Sequence, residues 1–248
     1  MIVSRLEGSC MTLTINRPER RNALTGSMYQ ALDQGLQAAQ ADPACHAVIL
    51  TGAGDCFTAG NDLSEFQATR SLTDSPALAF LRTLANVDVP VIAAVEGHAV
   101  GVGVTLLQHC DFVYAGETAQ FSMPFVSLGL CPEGGSSTLL AQLVGARRAS
   151  DWLLLGRQFD AAEAYESGFI TAVSPPGHAL NEAQAAADVL GRQPAEALRI
   201  SKRMLREPGR AELMRTFDKE RDLFTERLKS EEAQAAFRLF FDRKSSQS

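Results

Sequence analysis

The sequence predicts an α/β fold with an all-helical C-terminal portion, and three observations carry that expectation. Short β-branched runs alternate with helically spaced apolar residues as far as about residue 175. From residue 179 onward the pattern is helical. Between these regions, residues 91–111 join a wholly apolar strand to a helix through Gly97, Gly101 and Gly103, the turn around which the chain is organised. The 248 residues can bury a substantial core, and no low-complexity linker divides them.

Residues 11–15 alternate apolar and polar side chains and close at Asn16-Arg17-Pro18, a strand ended by a turn. Thr25 is placed to cap a helix whose Met28, Leu32, Leu36 and Ala39 share one face, and Asp42-Pro43 stops it. A buried strand over 47–51 is followed by a turn through Gly52 and Gly54, then by a strand-like edge over 56–63 that turns at Gly60. Residues 67–76 are rich in Ser and Thr, the expected mobile loop, and a helix over 77–86 precedes the strand at 91–95.

Beyond the glycine turn, residues 112–115 and 119–122 read as strands. Residues 136–144, 146–155 and 161–167 read as helices, the last capped by Asp160 and ended by Gly168. The helical pattern past residue 179 breaks at Pro194 and at Pro208-Gly209. Its apolar end, with Phe224, Phe237, Phe240 and Phe241, is expected to make a subunit contact rather than a ligand box.

A net charge of −6 argues against nucleic acid or an anionic membrane as the main partner, although Arg17, Arg20 and Arg21 could form a local basic patch. The five cysteines show no paired spacing and the four histidines form no H-x-x-x-H pair, so free thiols and no metal site are expected. The N-terminus lacks an apolar signal segment and no run is long enough to span a bilayer, which makes a cytoplasmic location the expectation.

Three readings compete for the glycine turn. It is a tight turn with glycines at positive φ; or a dinucleotide fingerprint; or an oxyanion hole in which an amide near Val102 stabilises negative charge on a carbonyl oxygen. The fingerprint fails, because its third glycine would fall on Leu106. An oxyanion hole needs a second donor and a base, and the strand-ending turn beside Gly60 and the glutamate at 133 offer both.

Four motifs occur in order along nearly the whole chain. They are Asn16-Arg17-Pro18 with Asn22-Ala23-Leu24; Phe57-Thr58-Ala59-Gly60-Asn61-Asp62-Leu63; Gly97-His98-Ala99-Val100-Gly101-Val102-Gly103; and Asp160-Ala161-Ala162-Glu163-Ala164 with Gly168. Together they resemble the enoyl-CoA hydratase/isomerase (crotonase) family. The resemblance implies a spiral of β-β-α units over 1–190, a helical trimerisation region over 191–248, and a homotrimer or dimer of trimers. It also implies an acyl-CoA thioester substrate, with CoA arriving as part of the substrate and no separate cofactor. The implied oxyanion donors are the backbone amides of Asn61 and Val102, and CoA would pass along Arg21, Ala23, Ala59, Asp62 and Leu63. Asp62 reads more readily as a structural turn carboxylate than as a catalytic group.

Hydratases of this family carry one glutamate just after the glycine turn and another past the next strand; here those positions are Thr105 and Phe125. Activating water and handling the α proton ordinarily takes both acids. What remains is Glu133, in Leu130-Cys131-Pro132-Glu133-Gly134-Gly135, expected among Phe125, Leu128 and Leu130. Taken alone it also reads as a surface acid at a helix start. Pro-Glu-Gly with Val-Gly-Val-Gly-Val-Thr is nearest to the 3-enoyl-CoA to 2-enoyl-CoA isomerase branch, where that glutamate is the single base. A hydratase-like activity, a ring-type isomerase of aromatic catabolism and a catalytically weak acyl-CoA-binding protein are the alternatives.

Overall fold

The computed structural model describes residues 1–68 and 75–245, so most of the loop expected over 67–76 lies outside the described residues. Gly8, at φ +58°, turns β1 (Ile2–Glu7) back onto β2 (Cys10–Ile15) as an antiparallel hairpin. Only its second strand shows in the sequence pattern, because β1 is an edge strand with four of its residues exposed. In α1 (Gly26–Ala41) the Thr25 hydroxyl accepts from the Met28 amide at 3.4 Å, and the expected face of Met28, Leu32, Leu36 and Ala39 is buried. Then follow β3 (Ala47–Gly52), α2 (Leu63–Ala68), α3 (Pro76–Asn86), β4 (Val91–Val95), β5 (His98–Val100), α4 (Val102–Thr105), β6 (Phe112–Gly116) and β7 (Gln120–Ser122). The second half comprises α5 (Ser136–Val144), α6 (Ala146–Leu154), β8 (Phe159–Asp160), α7 (Ala161–Glu166), β9 (Ala172–Ser174), α8 (Ala179–Gly191), α9 (Ala195–Leu228) and α10 (Glu231–Ser245).

The larger sheet runs β1-β2-β3-β4-β6-β9, parallel from β2 onward. Its strands alternate between two cores. Val48, Leu50, Ala93 and Val95 face the main core with α1 and α3, while Ala47, Ile49, Ile92 and Ala94 face Ala179, Ala183 and Ala187 of α8. A smaller sheet runs β5-β7-β8. β4 passes into it at Gly97, where a Cβ would lie 2.0 Å from the Asp55 carbonyl oxygen. β6 passes to β7 in the same way. Each unit thus places a strand in each sheet before a helix, giving β-β-α repeats.

Several expectations need correction. Residues 97–103 are not a single turn, since β5 lies within them between two glycines. The edge at 56–63 is no strand; Thr58 makes one bridge to Ala99 and Asn61 one to Leu24. Pro208 does not break the helix but lies inside the 34-residue α9. A proline removes one i→i−4 hydrogen bond, and the carbonyl left over belongs to Met204, whose residue is 70% exposed, so water can satisfy it. Phe224 and Phe237 are buried in this chain's own core and so are not free for a subunit contact, while the Phe240 side chain lies outside the described residues. Among the described residues no helix is long and apolar enough to cross a membrane.

α9 is fixed to the sheet end by buried charge. Lys202 pairs with Asp111 at 2.7 Å and donates to the Val89 carbonyl, while Arg199 donates to four main-chain carbonyls from Ala39 to Cys45. That docking brings the middle of α9 against the loop carrying Glu133.

Candidate active site

Two segments run side by side to form the site. The Phe57 amide donates to the Glu96 carbonyl, Thr58 to His98 at 2.9 Å, and Val100 back to Thr58 at 3.0 Å. Gly60, at φ +88°, lets the first segment turn against the second, since a Cβ there would lie 2.7 Å from the Val100 oxygen. Gly101 turns the second at φ 56°, ψ −116°, and Val102 opens α4. Among the described residues the Asn61 and Val102 amides have no main-chain acceptor. Both residues line a cavity of about 460 Å³. Its walls are largely apolar: Ala59 and Leu63 on the first segment, Phe125, Leu128 and Leu130 opposite, and Phe224, Ala236 and Leu239 from α9 and α10. The C-terminal helices therefore do contribute to a ligand-sized cavity, contrary to the expectation for that end of the chain.

Glu133 lies at one end of this space. It lines a small pocket whose walls include Leu78, Leu81 and Phe217, and which shares Asn61 and Phe224 with the larger cavity. Phe125, Leu128 and Leu130, expected around Glu133, instead face the larger cavity. The carboxyl is buried, and among the described residues its Oε1 has no hydrogen-bond partner. Burial first, and then the charge of Glu220, push Glu133 up to about 8.

Neither of the two positions where the resemblance puts hydratase acids holds an ionisable group. Thr105 is fully buried, and a Cβ on Gly134 would lie 2.4 Å from its Cγ2, so this threonine packs tightly beneath the Glu133 turn. Phe125 meets Phe224 edge to face with ring centroids 6.4 Å apart.

Tyr29, Phe217, Phe224 and Glu220 are site residues that the sequence reading missed. The buried Tyr29 hydroxyl donates to the Asn61 Oδ1 at 2.5 Å, and burial, then the Glu133 charge, raise it well above its ordinary value. Helical spacing marks Tyr29 and the two phenylalanines only as core. Nothing in the sequence marks Glu220.

Of the residues expected along CoA, Ala59 and Leu63 line the cavity, whereas Arg21, Ala23 and Asp62 are not among its lining residues. The exposed Arg21 is left-handed at φ +50° and accepts the Ala59 amide at 2.9 Å through its carbonyl. The Ala23 carbonyl and Asp62 both take hydrogens from the Arg17 guanidinium, Asp62 at 2.6 Å. Asp62 also accepts the Ser64 amide and hydroxyl at the start of α2. Burial works against its charge, but the bonds from Ser64 and Arg17 outweigh it and hold Asp62 at about 2. Asp62 and Arg17 thus tie the turn together. Among the described residues no cluster of three or more side chains could hold a metal ion.

An apolar cavity lined by two glycine turns, carried on β-β-α units, is the arrangement of the crotonase-like fold of acyl-CoA enzymes. The chain belongs to the enoyl-CoA hydratase/isomerase family, whose sequence pattern matches residues 5–247. A solved structure of Pseudomonas aeruginosa OdaA is 41% identical, covers 96% of this chain and 98% of its own, and superposes with a TM-score of 0.93. The 2,3-dehydroadipyl-CoA hydratase of Escherichia coli is 35% identical over 91% of this chain and 89% of its own length. The rat enoyl-CoA delta isomerase 2 is 34% identical over 96% of this chain, which spans 62% of that protein. This hydratase and this isomerase thus resemble the chain to nearly the same extent.

Proposed function

We propose that the protein is an acyl-CoA isomerase that shifts a double bond from 3-enoyl-CoA to 2-enoyl-CoA. The observation that carries this reading is the buried carboxyl of Glu133, whose Oε1 has no hydrogen-bond partner among the described residues and which shares a pocket with Asn61, with Thr105 and Phe125 in the places of the hydratase acids. In this mechanism the thioester oxygen sits between the amides of Asn61 and Val102, which stabilise the charge that develops when the α proton leaves. Glu133 removes that proton from C2. The electron pair delocalises through the thioester and the C3–C4 double bond, and the proton returns from Glu133 to C4, leaving the double bond between C2 and C3. One base serves both transfers, so water need not be activated. The CoA portion is placed along Ala59 and Leu63, with Arg21, Ala23 and Asp62 on the supporting turn. A trimer or dimer of trimers built through residues 191–248 belongs to the same proposal.

Glu133→Gln keeps size and polarity and removes the proton acceptor. Turnover of a 3-enoyl-CoA is expected to fall on the order of 10² to 10⁴-fold, while affinity for the 2-enoyl-CoA product is retained. Near-normal turnover in that variant would sink the assignment.

A further inference from the structure

We infer that Glu220 is a positioning residue for Glu133: it occupies the free amides at the start of α5 and so denies them to the Glu133 carboxylate. The inference rests on Glu133 being the base. Glu220 comes from α9 and is 5% exposed. Its Oε2 accepts the Gly135 amide at 2.6 Å and its Oε1 the Ser137 amide at 2.8 Å. These donors have no partner within their own helix and lie at its positive end, where a negative charge is most readily stabilised. Glu133 lies just ahead of that helix start and is the local acid that would ordinarily take them. Gly134 and Gly135, both at positive φ, turn it away toward the cavity, and its Oε1 is left buried without a partner. A carboxylate with those amides as partners would be a weaker base.

The other groups around Glu133 do not supply a compensating positive charge. Arg221 lines the same small pocket, but its guanidinium is engaged with Asp218 and Asp222. His109 bonds the Gly134 carbonyl through Nε2 at 2.7 Å, and burial above all pushes it down to about 4, so it is neutral. Tyr29 and Cys131 are both raised, chiefly by burial, and stay protonated. From α3 the pocket receives only Ala77, Leu78 and Leu81. Of the two neighbouring carboxyls, Glu220 has a donor on each oxygen and is the better placed to carry the negative charge. Burial raises it above its ordinary value, and its bonds to Ser137 and Gly135 pull it only part of the way back. Glu133 then feels both the missing amides and a like charge.

The test is the pH dependence of kcat/KM for a 3-enoyl-CoA in the wild-type enzyme, Glu220→Gln and Glu220→Asp. The wild-type acid limb is expected near 8. Glu220→Gln should move that midpoint down by about one pH unit or more, because the like charge is gone and an amide is freed for Glu133. Glu220→Asp keeps the charge and should restore most of the midpoint. Ser137→Pro removes one of the two donors at a first-turn position where proline is tolerated, and should move the midpoint the same way by less. A uniform fall in rate with an unmoved midpoint in Glu220→Gln, or in Ser137→Pro should the former not fold, would show a mere structural clamp and overturn the inference. Normal turnover in Glu133→Gln would instead overturn the base assignment on which it rests.

Discussion

Two glutamates of this chain show how partners decide what a carboxyl can do. Glu163, in the first turn of α7, accepts from the guanidinium groups of Arg157 and Arg148 and from the Trp152 indole at 3.1 Å. The bonds from Arg157 lead, and with Arg148 and Trp152 they outweigh burial and hold Glu163 at about 2. Glu133 has an apolar pocket, an unpartnered oxygen and a second carboxylate nearby, and rises to about 8. A saturated carboxylate ties elements together. An unsaturated one is left with proton affinity to use, at a cost in stability.

The largest expected effect bears on the reactive side of this comparison. With a single unpaired acid, hydration of crotonyl-CoA should run on the order of 10² to 10⁴-fold slower than isomerisation of a 3-enoyl-CoA, measured on one preparation. Comparable rates would mean that another group activates water. The next effect bears on the saturated acid. Glu163→Gln is expected to lower stability by about 1–3 kcal/mol, read by denaturant unfolding, and to leave isomerase turnover unchanged. Because the folded state holds Glu163 below its ordinary 4.5, its contribution is present above that pH and is lost as pH falls toward about 2.

A third effect runs with the opposite sign. Folded Glu133 keeps its proton up to about 8, whereas the unfolded chain releases it near 4.5. Wild-type stability should therefore decline across that window by up to about 1.4 kcal/mol per pH unit, and Glu133→Gln should be free of this decline. A Glu133→Gln variant that melts earlier than wild type at pH 8 would instead mark Glu133 as a stabilising helix-start charge.

Much of the site could be read in the sequence because its parts are local. Gly60 and Gly101 each precede a proposed donor residue, and Pro132-Glu133-Gly134 carries the proposed base, so short motifs mark both. The apolar face of α1 and the caps at Thr25 and Asp160 are local in the same sense. What escaped the reading depends on distant partners. β5 and β8 are three and two residues long and are defined by pairing with distant segments, both with β7 and β5 also with Thr58. Glu220 reaches Gly135 across 85 positions, and only the docking of α9 brings them together. Tyr29 sits among core positions of α1, and its hydroxyl acquires meaning only where Asn61 meets it.

The most direct test of the account follows deuterium at C2 of a 3-enoyl-CoA through a single turnover. In the wild-type enzyme the label should leave C2, and part of it should arrive at C4, because Glu133 both takes and returns it. In Glu133→Gln the bound substrate should keep its deuterium at C2 and remain unisomerised. Loss of the label from C2 at the wild-type rate in Glu133→Gln would contradict the account, since some other group would then be the base.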